Sequence, residues 1–261
     1  MGKQSNTVLL LLVVAGGVST AEAQVMCGDT ITTREVLTED LFCSGFDPAL
    51  TIQGPGGRLD MRRFTVSCEG TTADGIELTG DGAVLQNGFV TSCGDGVRLQ
   101  GTNGRVERMI VENNSDVGVF ISDDAGSGNQ VRETISLNNA DDGFKDFSSG
   151  GNTFERNLAT RNGFQGFQFG GNASGNTLRR NVSTNNNENG FEIDNDNHLV
   201  TQNVAQNNES DGFEIGASAS DSWITLNVAL KNLDDGIDVE LGATNNALTR
   251  NVGSGNGSGK S

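Results

Sequence analysis

The chain has 261 residues, with 34 Asp and Glu against 17 Lys and Arg, 37 Gly, 13 Phe, one His and no Tyr, for a formal net charge of −17. A charge of that sign argues against a nucleic-acid partner, because phosphates gather on basic faces. No stretch is apolar over the ~20 residues that a membrane-spanning helix needs, and the length suits one domain with a sizeable core.

In chain order, residues 1–23 read as an export signal. Lys3 gives a positive start, Val8 to Val14 a short apolar run, and Ala21-Glu22-Ala23 a small-x-small cleavage site. The mature chain is expected to open at Gln24 and to be secreted, extracellular or held at the cell surface. An even number of cysteines in an exported chain implies disulfides, and Cys27, Cys43, Cys68 and Cys93 allow three connectivities. Phe64-Thr-Val-Ser-Cys68 and Phe89-Val-Thr-Ser-Cys93 look like one rung position on successive coils. Stacked rungs ~4.8 Å apart suit the Cα–Cα reach of a disulfide. Cys68 is therefore paired with Cys93 and, by elimination, Cys27 with Cys43. No Cys-x-x-Cys pair supports a zinc site.

From residue 71 to 254 the chain repeats. A glycine followed by an apolar-x-apolar triplet recurs at Gly75, Gly96, Gly118, Gly143, Gly166, Gly190, Gly212 and Gly236, so the coils are about 22–25 residues long. Alternation at period two predicts a short strand with one buried face. Only the coil at Phe144 slips, offering Asp146 and then Phe147. A second inward site is expected at Phe154, Leu178, Val200, Ile224 and Leu248, and a third at Leu158, Val182, Val204, Val228 and Val252. Two asparagine series, Asn157 to Asn251 and Asn114 to Asn256, keep the same period and are expected to hydrogen-bond from coil to coil at turns.

The pattern Asn203-Val-x-x-Asn207 leading to Asp211-Gly-Phe-Glu-Ile215 resembles the parallel β-helix repeats of the pectate-lyase-like superfamily. The segment Cys27-Gly-Asp-Thr-Ile-Thr with Leu37-Thr-Glu-Asp-Leu-Phe-Cys43 is similar to the capping entry of such helices. The resemblance implies an all-β, single-stranded right-handed parallel β-helix, a solenoid. Residues 24–70 would form its N-terminal cap and first coils, 71–254 its repeats, and 255–261 a flexible Gly/Ser tail. Handedness rests on the resemblance alone.

On such a solenoid, outward side chains of successive coils align. Glu192, Asp211, Glu214, Asp235 and Asp238 should form one carboxylate-rich patch, whose mutual repulsion a hard cation such as Ca2+ would relieve. Lys145, inside Asp141-Asp-Gly-Phe-Lys-Asp146, and Arg156 and Arg180 on neighbouring coils are the candidate bases or carboxylate binders. Asp141-Asp142-Gly143 and Asp234-Asp235-Gly236 resemble the calcium-binding acids of one lyase family. Gly166-Phe-Gln168-Phe resembles the segment with its lysine base, although here that place holds Gln168. His198 is expected in a solvated turn, and Trp223 as a sugar platform or a corner cover. With no Tyr, a Tyr/His catalytic pair is excluded.

Two functions follow as expectations. The first is a secreted protein associated with acidic extracellular polysaccharide, lyase-like or epimerase-like toward polyuronates if it is an enzyme. The alternative is a non-catalytic surface, matrix or adhesin-type protein, able to self-associate through a C-terminal end too polar and small to cover its last rung.

Overall fold

From Asn114 onward three sharp corners close each coil, and all three follow one chemical recipe. The structure, a computed structural model, describes residues 24–70 and 72–257. Those residues form short strands, and none of them is helical. One coil serves as the pattern: Thr153–Glu155, a corner at Arg156, Leu158–Thr160, a corner at Arg161, Phe167–Phe169, and a longer loop ending in a corner at Gly175. The corner residues are left-handed, with φ of 56° at Arg156, 57° at Arg161 and 70° at Gly175. Side chains disfavour that region. The cost is offset because the residue after each corner turns its side chain inward and hydrogen-bonds to its neighbours in the stack.

Two of these inward columns are the asparagine ladders expected from the sequence. Asn157 donates from its backbone N–H (2.9 Å) and its Nδ2 (3.2 Å) to Asn181 Oδ1, and also from Nδ2 to the Val131 carbonyl (2.8 Å). The pattern continues through Asn203, Asn227 and Asn251. The other ladder runs from Asn114 through Asn139, Asn162, Asn186, Asn208 and Asn232 to Asn256. A third ladder, not read from the sequence, runs Asn129, Asn152, Asn176, His198, Ser222, Asn246. His198 is thus buried, not solvated: its Nδ1 accepts from the Asn176 N–H at 3.2 Å, and its Nε2 donates to the Asp194 carbonyl at 2.8 Å.

Strands pair in parallel with the equivalent strand of the next coil. Ten stack in the first sheet, from Thr30–Ile31 through Phe144–Asp146 and Phe167–Phe169 to Ile237–Val239. The second sheet contains Arg58–Asp60, Thr153–Glu155 and their equivalents, and the third contains Leu158–Thr160 and its own. Inside, Phe144, Phe167, Phe191 and Phe213 stack at 4.7 Å between centroids and within 9° of parallel. Phe154 meets Phe144 and Phe169 edge-on. Cys27 is bonded to Cys43 and Cys68 to Cys93, the latter with Cα atoms 4.8 Å apart.

Two expectations about the interior are corrected. Leu158, Val182, Val204 and Val228 are half-exposed, and the inward residues of the third sheet are Ala159, Ser183, Ala205 and Ala229. Space dictates this: a Cβ added to Gly166 would lie 1.9 Å from Ser183 Oγ, one on Gly190 2.8 Å from Ala205 Cβ, and one on Gly212 2.9 Å from Ala229 Cβ. From Gly118 onward two chain segments approach so closely that the glycine faces a Ser or Ala, whereas in the earlier coils Val90 and Val111 face Gly75 and Gly96. Nor does the coil at Phe144 slip. Asp146 keeps the inward place, in register with Ile121 and Phe169, and Phe147 turns out against Phe120. The buried Asp146 carboxylate accepts from Ser148 N–H (3.0 Å), Ser148 Oγ (2.6 Å) and Asn152 Nδ2 (2.9 Å).

Candidate functional site

The outward column of the first sheet carries the chemistry. Glu77, Arg98, Phe120, Lys145, Gln168, Glu192, Glu214 and Asp238 follow one another in strict register. Beside them, just before each glycine, stands a second column with a structural duty. Asp74 Oδ1 accepts the Asp95 N–H, Asp95 Oδ1 the Val117 N–H, Asp142 Oδ1 the Gln165 N–H, and Asp211 Oδ1 the Asp235 N–H. Each of these acids ties one coil to the next.

Lys145 lies in a groove of about 530 Å³ lined by Asp116, Asp141, Asp142, Phe164, Gln165 and Gln168, among others. Its Nζ donates to Asp142 Oδ2 at 2.9 Å and to Asp141 Oδ2 at 3.4 Å, and stands 5.1 Å from the centroid of the Phe147 ring. Burial works to lower the lysine pKa, but Asp142 and Asp141 outweigh it and hold the pKa above its ordinary value. Lys145 is therefore a cation at neutral pH. Burial pushes Asp142 up to about 6, with Lys145 offsetting part of the rise. Asp116 is raised too, by burial first and then by a hydrogen bond shared with Asp141.

Further along the flank the five acids expected to cluster divide into two groups: Glu192, Glu214 and Asp238 in the outward column, and Asp211 and Asp235 beside it. Glu192 accepts from Gln165 Nε2 at 2.6 Å and from Gln168 Nε2 at 3.3 Å, and Glu214 accepts from Asn189 Nδ2. Burial, then the charges of Asp194 and Glu214, push Glu192 up to about 7. Asp211 and Asp235 converge instead with Asp234, each offering an oxygen within 4.8 Å of the others. Burial, reinforced by Asp234 and Asp238, raises Asp211 to about 6. Crowded carboxylate oxygens of this kind suit a hard cation. Asp234 belongs to the Asp234-Asp235-Gly236 doublet that the sequence offers, whereas Asp116 and Gln165 join the site with no motif to mark them.

Arg156 and Arg180 are not part of this flank. They occupy left-handed corners between the second and third sheets, where Arg156 approaches Glu155 (3.5 Å) and Glu133 (3.7 Å), and Arg180 Nε donates to Gln202 at 2.9 Å. His198 is inside the solenoid with both ring nitrogens engaged, and Trp223 is exposed on the second sheet.

The family described as right handed beta helix region matches residues 74–229. No sequence among the curated proteins matches the chain. Solved structures of similar fold include a pectate lyase, at 20% identity over 89% of this chain and 72% of that one, with a TM-score of 0.61. An alginate lyase from Paenibacillus sp. aligns at 13% identity over 88% of this chain and 93% of its own, with a TM-score of 0.55. The A-module of a mannuronan C-5 epimerase from Azotobacter vinelandii aligns at 14% identity over 91% and 80%, with a TM-score of 0.52. At these identities the likeness shows the fold alone.

Proposed function

This chain belongs to the right-handed β-helix family, and from that premise we propose that it is a secreted protein that holds an acidic polysaccharide along the outer flank of its first sheet. The observation that carries the reading is the Lys145 groove, a protonated amine beside the Gln165 and Gln168 side chains on a mainly acidic flank. An ammonium ion pairs with a uronate carboxylate, and the amides supply donors and acceptors for sugar hydroxyls. Lys145 and Asp238 are four rungs apart in the register, about 19 Å at ~4.8 Å per rung. That reach is longer than one sugar ring, so the ligand is an oligomer. Bound Ca2+ would supply charge neutralisation between the uronate carboxylates and Asp211, Asp234 and Asp235, with Glu192, Glu214 and Asp238 lining the path to it.

A lyase-like activity on the same polymer would need a base. Lys145 can serve only after losing the proton that Asp142 and Asp141 stabilise, so elimination through it rises with pH into the alkaline range.

The test combines binding with product formation, on polygalacturonate and alginate, with Ca2+ and then with chelator. The reading expects polymer to raise the melting temperature in Ca2+, and Lys145→Ala to weaken the dissociation constant by on the order of tenfold, equivalent to about 1.4 kcal/mol. Ultraviolet absorbance from unsaturated products would add the lyase; a flat trace with binding intact favours the non-catalytic alternative. If neither polymer shifts the melt in Ca2+, the reading falls.

A further inference from the structure

Most of the cationic side chains lie on the other side of the coil from this groove. The strands of the second sheet turn out Arg58, Arg105, Arg132 and Arg179. The corner that follows adds Arg62, Arg63, Arg108, Arg156 and Arg180, all at positive φ and all exposed. Against these nine arginines the same face sets four carboxylates, Asp60, Glu107, Glu133 and Glu155. A chain of net charge −17 thus carries a basic track along its axis.

Acceptors are unevenly spread along the track: Arg108 donates to Asn87, Glu107 and Gln86, whereas farther along the guanidinium groups crowd one carboxylate. Glu155, buried at 5% exposure, is the common partner of Arg179 (2.8 Å), Arg156 (3.5 Å) and Arg132 (3.8 Å). Three guanidinium groups crowd that carboxylate, with Glu133 a second partner of Arg156 at 3.7 Å, and the buried Nε atoms of Arg132 and Arg179 have no hydrogen-bond partner. At the other end, Arg63 and Arg108 flank a depression of about 310 Å³ floored by Gly88, Phe89 and Ile110. On the same sheet face Trp223, in register with Leu199, leaves its indole 66% exposed.

We propose that this arginine track is a second, calcium-independent docking site for a single linear acidic glycan. Guanidinium forks fit carboxylates and sulfates. The apolar floor and the indole fit the C–H faces of sugar rings. From Arg58 to the rung of Arg179 the register takes five steps, about 24 Å, so successive sugars would meet successive coils. The track's width selects the occupant. One column of corners holds a single chain, whereas a nucleic-acid duplex or a lipid surface is broad enough to meet the acidic flank as well. The proposal takes its polymer class from the reading above but shares neither its residues nor its cation.

The experiment measures binding of polygalacturonate by the whole mature chain in chelator, at low and then rising salt. Wild-type protein is expected to bind, and to weaken as salt rises. The triple variant Arg63→Gln, Arg108→Gln, Arg180→Gln loses roughly tenfold, as expected for three exposed ion pairs, with its melting temperature unchanged. The corresponding triple lysine variant keeps most of the affinity, which separates lost charge from damaged folding. The triple glutamine variant is expected to lose only the chelator-resistant part of wild-type binding and to keep the Ca2+-dependent part, so failure of the groove and failure of the track read differently. Three results overturn the proposal: no chelator-resistant binding by wild type, equal binding by the triple glutamine variant, or arginine-dependent binding of duplex DNA or phosphatidylserine vesicles in place of the glycan.

Discussion

His198 occupies the place that Asn152, Asn176 and Asn246 hold on other coils, and it can do so only as the neutral ring. Its Nδ1 must accept from Asn176 and its Nε2 must donate to Asp194. Burial accordingly holds its pKa below the ordinary 6.5. An unfolded chain takes up a proton below that pH which the folded chain refuses. The stability that follows is therefore complete above about pH 6.5 and drains away as the pH falls toward the folded value. Asp95 and Asp142 pull the other way. Burial raises them to about 7 and about 6 from an ordinary 3.8, so the folded chain holds protons that the unfolded chain has released, and their destabilising charge grows as pH rises through that window. His198→Asn keeps the ladder and removes only the first effect. In chelator, its melting temperature should rise more steeply than wild type's between pH 8 and pH 5.5. Identical pH dependence in the two proteins would mean that His198 is not titrating against the fold.

At the scale of the element, the ladders and the phenylalanine stack do different work. The Phe rings supply burial, while each asparagine satisfies backbone groups that the corners strand. Asn203 Oδ1 accepts from the Asn181 N–H at 2.9 Å, and its Nδ2 donates to the Leu178 carbonyl at 2.9 Å. Asn203→Ala leaves both groups buried and unmatched, at ~1–3 kcal/mol each, so its urea midpoint should fall by the equivalent of about 3 kcal/mol. Gln202→Ala, one residue away but exposed, should cost less than ~0.5 kcal/mol; equal losses would deny the ladder its role. Ala205→Leu tests the close approach at Gly190, where overpacking costs ~1–3 kcal/mol, and a melt like wild type's would show that the corner has room. These elements also mark how far the sequence can be read. The Gly-apolar-x-apolar triplets and the asparagine columns were legible because both repeat by residue type. Val204 and Val228 misled because periodicity reports polarity, whereas in these later coils the third sheet takes a small inward residue, Ala205 or Ala229, where earlier coils hold Val90 and Val111. The third ladder stayed hidden because Asn, His and Ser serve it interchangeably as acceptors, a likeness of hydrogen-bonding capacity rather than of residue name.

Across the whole molecule, charge is sorted by side. Net charge showed only the acidic excess; the parallel register separates a carboxylate flank on the first sheet from an arginine track on the second, and no count of residue types contains that. The candidate site was legible to the same extent. Lys145 and the Asp-Asp-Gly doublets could be found as motifs, but Arg156 and Arg180 could be placed away from Lys145 only once the corners were in view. The two sides should answer to different ions. Where Asp211, Asp234 and Asp235 bring three oxygens within 4.8 Å, Ca2+ should bind the folded chain and not the unfolded one. At a hundredfold excess over its dissociation constant that linkage is worth about 2.7 kcal/mol, enough to raise the melting temperature by several degrees. Mg2+ should do less, since it demands tighter octahedral geometry and gives up water reluctantly. Asp234→Asn should remove most of the Ca2+ effect while leaving the chelator-resistant arginine track untouched. Equal shifts from Ca2+ and Mg2+, surviving Asp234→Asn, would instead mark ordinary screening of a repulsive face, and the bridging role proposed for calcium would have to be given up.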